Sequence, residues 1–181
     1  MKKLLIPALL SALLAACSTT PLPEDSNGAP VESRSGASTG VAPVKAGGLD
    51  ASGLPRELTD PSSKLSQRSI YFDLDKYEVK DEYKDLVAAH AKYLVANKGF
   101  KVLLQGNTDE RGSREYNLSL GQKRAEAVKR SLSLLGVKED QIESVSLGEE
   151  KPKNAGHDEA AWSENRRTDI LYKAADGRGE F

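Results

Sequence analysis

The stretch GNTDERGSREYNLSLGQKR, residues 106–124, decides how the rest of the chain is read. It follows an apolar run from Phe100 to Leu104, crosses a turn-rich segment (Asn107, Asp109, Gly112, Ser113) and enters a strongly periodic helix. At a strand–loop–helix junction, backbone N–H groups and short polar side chains converge, which makes it a frequent ligand site. Ser113 is placed to cap the helix, and Glu115 falls in the first turn, where a carboxylate complements the helix dipole. Leu118, Gly121, Ala125, Val128, Leu132 and Leu135 recur at helical spacing. That periodicity predicts a helix over 114–135 with those residues as its buried stripe and Gly136 as its stop. Asn117 and Arg124 lie two turns apart, so both project from one side, just beside the stripe, roughly 10 Å apart at about 1.5 Å rise per residue. With Asp109 in the loop above, an acceptor, an amide and a guanidinium line one cleft edge.

A carboxylate for an ammonium and an arginine fork for a carboxylate suit a zwitterionic amino-acid head group. The same residues also have a local reading. Asp109 can close an Asx-turn, and Arg124 can be a snorkelling side chain with a structural partner. Spacing alone leaves both open.

Outward from this stretch the pattern continues. Residues 69–73 (SIYFD) and 101–105 read as strands, residues 79–97 as a helix with Tyr83, Leu86, Val87, His90 and Leu94 on its apolar face, and 142–147 as a third strand. Asp158 is placed to cap a short helix through Trp162 to Asn165, and 168–173 reads as the last strand. The order β-α-β-α-β favours parallel neighbours with helices on one face. Asp73-Leu74-Asp75-Lys76 is a loop whose two carboxylates are either a solvated turn or a cation or acid–base site.

The ordered pattern Thr108-Asp109-x-x-Gly112, then Tyr116-Asn117, Leu120 and Arg124-Ala125, resembles the signature of the OmpA-like peptidoglycan-binding domain family. The words GEEKP, GHDEAA and NRR extend the resemblance over residues 69–173, and they are similar to the lipid-anchored members that work with the Tol system. The resemblance implies an α/β domain of the α+β sandwich kind, β-α-β-α-β-β in order, with a mixed sheet and helices packed on one face. It implies non-covalent binding of the meso-diaminopimelate stem peptide of peptidoglycan. Asp109 would meet the ammonium, Arg124 the carboxylate, and Asn117 the peptide, while Leu74, Asp75 and Leu120 shape the walls. It further implies TolB as a partner, with TolA and other envelope lipoproteins or porins beyond it, in envelope integrity and cell division. Glu149, Glu150, Lys151, His157 and Trp162 are the interface candidates, or else they build a loop around a buried tryptophan. The alternative is a wall anchor of the same domain type outside the Tol system.

Composition narrows the classes. The 181-residue chain has a formal charge of −1, so no basic excess points to nucleic acid. His90 and His157 are far apart in sequence and make no metal-ligand pattern; His90, on the apolar face of a helix, reads as a satisfied core or boundary histidine. No cofactor motif is present, so none is expected. Catalysis is not expected either: two histidines and one cysteine assemble no nucleophilic triad. A glycosidase-like pair, Asp75 and Asp109, would need one acid raised in an apolar pocket, whereas Asp109 lies among Thr, Asn and Arg.

The N-terminal part reads as export and tether. Residues 1–16 combine Lys2 and Lys3 with an apolar run too short to span a bilayer, as in a secretory signal. Leu14-Ala15-Ala16-Cys17 resembles a bacterial lipobox, which makes the single cysteine the acylated residue, and Ser18 after it directs the anchor to the outer membrane by family analogy. Several acyl chains, palmitate among them, would hold it stably. Residues 17–66 read as a flexible linker without Phe, Tyr or Trp over 18–64, spanning roughly 35–40 Å at about 5–6 Å × √n. The domain is expected over 67–174 and a loose tail over 175–181.

Overall fold

The computed structural model describes residues 48–51 and 53–181. The expected signal, Cys17 and most of the expected linker lie outside the described residues. Among the described residues, four strands and three α-helices follow one another: β1 (Ser69–Tyr71), α1 (Lys84–Ala96), β2 (Lys101–Asn107), α2 (Arg114–Leu134), β3 (Ile142–Gly148), α3 (Glu159–Asn165) and β4 (Arg167–Lys173). Each expected element is present. A 3-10 turn, Asp81–Tyr83, replaces the first turn of the expected long helix.

The sheet order is β1-β4-β2-β3. Strands β2 and β3 are parallel, with Val102 opposite Ile142, while β4 is antiparallel to both β1 and β2. The expectation of parallel hydrogen-bonded neighbours therefore holds for β2–β3 and is corrected for β1. The last strand inserts between β1 and β2, which still run in the same direction. One face of the sheet carries the core. Val102 and Leu104 of β2 and Ile170 and Tyr172 of β4 are buried there against Leu86, Val87 and Leu94 of α1 and Val128 and Leu132 of α2. Leu103 and Leu171 alternate onto the other, half-exposed face.

Helix α2 is held close to the sheet by absence of side chain. A Cβ on Gly106 would fall inside the backbone carbonyl of Gly121, and one on Gly121 would collide with the Ser146 hydroxyl. The two glycines let strand and helix backbones touch, which fixes where Asn117, Leu120 and Arg124 project. Ser113 caps the helix, accepting from Tyr116 N at 3.2 Å, and Gly136 ends it at φ 93. The expected stripe is corrected at both ends: Leu118 and Leu135 are about half exposed, at 51% and 49%. The buried face instead runs through Asn117, Leu120, Gly121, Arg124, Ala125, Val128 and Leu132. Hydrophobic spacing missed it because two polar residues, Asn117 and Arg124, take inward positions.

The chain upstream of 67 differs from the expected linker. Leu54 and Leu58 are fully buried in the core, on a strap pinned by the Leu49–Pro55 bridge and the turn Arg56–Leu58. Their local composition is linker-like, but two leucines suffice to seat a segment, at about 1.5–3 kcal/mol each when fully buried. The tail also differs from a loose end. Glu180 accepts from Tyr172 N at 2.8 Å and pairs with Arg68, and Gly179 bridges Lys173. Arg68 donates to the Leu58 carbonyl as well, so strap and tail share one anchor.

Candidate functional site

The carboxyl ends of β1 and β2, the start of α2 and the entrance of β4 meet in one cleft. The register of β2 against β3 shifts between Gly106 and Asn107, and Thr108 N donates to Gly148 O at 2.8 Å. This turns Asp109 inward, where it is buried. Its Oδ1 accepts from Arg111 N at 3.1 Å, which is the Asx-turn of the local reading. Its Oδ2 accepts from Arg111 Nη2 at 2.7 Å and from Arg166 Nη1 at 3.2 Å. Burial pushes this carboxyl up, but the hydrogen bonds from Arg111 and Arg166 outweigh it and hold Asp109 below the ordinary range. A carboxylate held ionised is suited to a cation and unsuited to general-acid work.

Arg124 lines the same cleft, yet it does not present an open fork. It is fully buried, with Nε on Lys76 O at 2.9 Å, Nη1 on Asn107 O at 2.9 Å and Nη2 on Asp73 O at 3.2 Å. Two carbonyls from the loop after β1 and one from the end of β2 are thus gathered on one guanidinium, whose ring-facing side lies 5.3 Å from Phe72. Burial lowers its pKa to about 10, still charged at neutral pH. The snorkelling alternative is corrected, because the charge is inside rather than at the surface. The structural partner it foresaw is real: all three guanidinium nitrogens are engaged on backbone carbonyls.

The facing wall is the loop after β1. Asp75 has φ 58, the one non-glycine residue with positive φ among the described residues. Such left-handed backbone persists where surrounding contacts impose it, typically at ligand sites. Tyr116 O–H donates to the Asp75 carboxylate. Asp73, by contrast, is exposed and pairs with Lys80 at 2.9 Å. Leu74 stands at the rim, 54% exposed, and Leu120 supplies a buried apolar floor. Asn117 donates to Glu149. All six sequence-derived residues, Leu74, Asp75, Asp109, Asn117, Leu120 and Arg124, line this one cleft.

The cleft also holds Thr108, Arg111, Tyr116 and Arg166, which sequence reasoning left out. Arg166 is nearly fully buried. It donates from Nε to Phe72 O and from Nη2 to Glu159, which joins both walls to α3. The signal for it was the NRR triplet after a capped helix. For Arg111 and Tyr116 the signal was their place inside the quoted stretch. Asp75 and Asp109 within the cleft thus face three guanidiniums, the third carboxylate being Glu159 on Arg166. The Thr108 hydroxyl is buried without a hydrogen-bond partner, an unmet polar group of the kind a ligand satisfies.

The interface candidates fall into separate sets. His157 Nδ1 lies 2.8 Å from Glu110 and Trp162 Nε1 donates to the same carboxylate at 2.9 Å, which together hold Glu110 below its ordinary range. Trp162 is half-buried under Arg111, whose guanidinium lies 4.2 Å from the ring centre, rather than buried at the middle of the loop. Glu149 belongs to the cleft through Asn117, Glu150 pairs with Arg114 at 2.8 Å, and Lys151 is exposed.

Comparison with known proteins places this geometry. The OmpA family profile matches residues 71–166. A peptidoglycan-associated lipoprotein of Pasteurella multocida is 53% identical over 110 residues, covering 60% of this chain and 73% of that protein. One from Pseudomonas putida is 40% identical over 163 residues, covering 90% and 92%. The crystal structure of the peptidoglycan-associated lipoprotein from Burkholderia pseudomallei superposes with a TM-score of 0.64 at 59% identity, covering 65% of this chain and 99% of that one. Sequence, fold and cleft therefore agree that this chain belongs to the OmpA family.

Proposed function

We propose that this protein is a lipid-anchored wall binder that grips peptidoglycan non-covalently through the meso-diaminopimelate of its stem peptide. The observation that carries the reading is the convergence of six residues, named from sequence, on one cleft with an ionised Asp109, three guanidiniums and an unsatisfied Thr108 hydroxyl. A diaminopimelate side chain ends in an ammonium and a carboxylate on one carbon. Asp109 meets the first, the guanidinium side of the cleft meets the second, and Asn117 and Thr108 hydrogen-bond the peptide. Leu120 and Leu74 cover the methylene chain. The names of its relatives support both the wall association and the lipid anchor. In this reading Cys17 carries the acyl chains in the outer membrane, and the folded domain stands in the periplasm.

We infer a second, compatible role as a TolB partner within the Tol system, through which wall and outer membrane are drawn together at constriction. Glu150, Lys151, His157 and Trp162 offer mostly exposed, chemically mixed contacts beside the cleft rim. Because Trp162 stacks on Arg111, a partner seated on the tryptophan and a ligand in the cleft meet at one residue. Co-sedimentation of the full-length protein with isolated sacculi tests the first role, and capture of purified TolB tests the second. Asp109→Asn lowers sacculus binding by about tenfold or more, the scale of a charge-assisted hydrogen bond, while TolB capture persists. Lys151→Glu does the reverse. If Asp109→Asn sediments like the wild type, the cleft is not the wall site.

A further inference from the structure

The cleft is closed where a ligand's ammonium has to arrive. Its free volume is about 30 Å³, room for a water or two and none for an amino-acid head group. The group in the way is Arg111, whose Nη2 sits 2.7 Å from Asp109 Oδ2. The two guanidiniums on Asp109 are held differently. Arg166 is almost fully buried and is fixed at Phe72 O, Asp109 and Glu159. Arg111 is one-third exposed, reaches Glu159 only at 3.5 Å, and has a buried Nε without a hydrogen-bond partner. Beyond Asp109 its main support is the face of Trp162. Of the two, Arg111 is the one that can leave.

We propose that Arg111 is a specificity-determining gate: it occupies the ammonium position on Asp109 in the ligand-free protein and exchanges partners with an incoming amino-acid head group. The ligand's ammonium takes Asp109, and the released guanidinium takes the ligand's carboxylate. This rests on the reading of the cleft as a head-group site. Charge explains the selectivity. Asp75, Asp109 and Glu159, which holds Arg166 at 2.7 Å, match the three guanidiniums, so each cation in the cleft has one counterpart as long as Arg111 stays on Asp109. A lone amine that displaces Arg111 swaps one cation for another on Asp109 and leaves Arg111 only Glu159, at 3.5 Å and already held by Arg166. A lone carboxylate leaves Arg111 in place and finds no room. Only a group bearing both charges gives every partner a counterpart, which at one charge-assisted contact amounts to about 10- to 100-fold discrimination.

Trp162 is the only tryptophan of the chain, so its emission reports whether Arg111 lies on it. The experiment titrates the full-length protein in detergent micelles with a diaminopimelate muropeptide and its lysine analogue, reading heat and tryptophan emission in parallel. Arg111→Ala is compared with Arg111→Gln, which keeps the aliphatic stem against Trp162. In the wild type, emission shifts in step with diaminopimelate binding. In both variants the shift is lost and discrimination against the lysine analogue falls about tenfold. Wild-type heat with flat emission, and variants that keep full discrimination, would overturn the gate and leave the cleft's ligand standing. Saturable heat from Arg111→Ala alone supports a gate closed too firmly for the wild type to open. No heat from any of the three proteins would sink both readings.

Discussion

At the scale of single residues, the molecule uses polar side chains in the interior as fasteners. His90 is one. It is fully buried, with Nε2 facing the Gln67 carbonyl at 2.9 Å, so Nε2 carries the proton and Nδ1 accepts from Tyr172 O–H at 2.8 Å. Burial lowers its pKa from 6.5 to about 4, so the neutral ring is the folded form. Its contribution is complete above pH 6.5 and is lost progressively as pH falls toward 4, up to about 3 kcal/mol. Thermal melts between pH 7.5 and 4.5 check this: His90→Gln melts lower than wild type at pH 7.5 but shows a flatter decline. The core position of His90 was legible from its place on an apolar helix face. The engaged fork of Arg124 was not, because its acceptors, the carbonyls of Asp73, Lys76 and Asn107, have no side-chain signature. Arg166 and Arg111 were hidden for a related reason: charged residues near a helix end read as solvated unless the fold brings a carboxylate to them.

Among elements, the contact between β2 and α2 carries the most consequence. Gly106 and Gly121 bring strand and helix backbones together, and the direction of α2 decides whether Asn117 and Arg124 reach the cleft. Gly106→Ala forces the helix off the strand and destabilises by about 3 kcal/mol or more, since the obstacle is backbone that cannot rotate away. Urea denaturation measures the loss. The variant also binds wall fragments less well in proportion to the tilt of α2, whereas a core truncation such as Leu132→Ala lowers stability and leaves binding per folded molecule intact. Element identities were readable from apolar periodicity and from the caps at Ser113 and Asp158. The strand order was not. That β4 enters between β1 and β2 depends on pairings distant in sequence, such as Ser69 with Asp169, which no local pattern announces.

For the molecule as a whole, the boundary of the folded unit matters. The strap bearing Leu54 and Leu58 completes the core and meets the tail at Arg68. A version that starts at residue 67 loses both leucines, a cost of about 3–6 kcal/mol at about 1.5–3 kcal/mol each. Against a total of about 5–15 kcal/mol, this brings the domain near its unfolding threshold at 37 °C. Calorimetric scans of chains that begin at 48 and at 67 measure the difference directly. Composition concealed the strap, because two apolar residues among Pro, Gly, Ser and charged neighbours look like linker until the core they fill is known.

The strap also decides where mechanical load enters. Tension applied from the N-terminal side does not reach the short strand β1 first; it reaches Leu54 and Leu58, seated in sequence like the teeth of a zipper. Peeling such a segment releases one contact at a time, whereas drawing β1 out of the sheet requires its hydrogen bonds with β4 to break together. The fold therefore has a yielding element in front of a stiff one, and the cleft, built on the ends of β1, β2 and α2, lies behind the stiff one. Load that enters from the N-terminal side is absorbed before the cleft is disturbed.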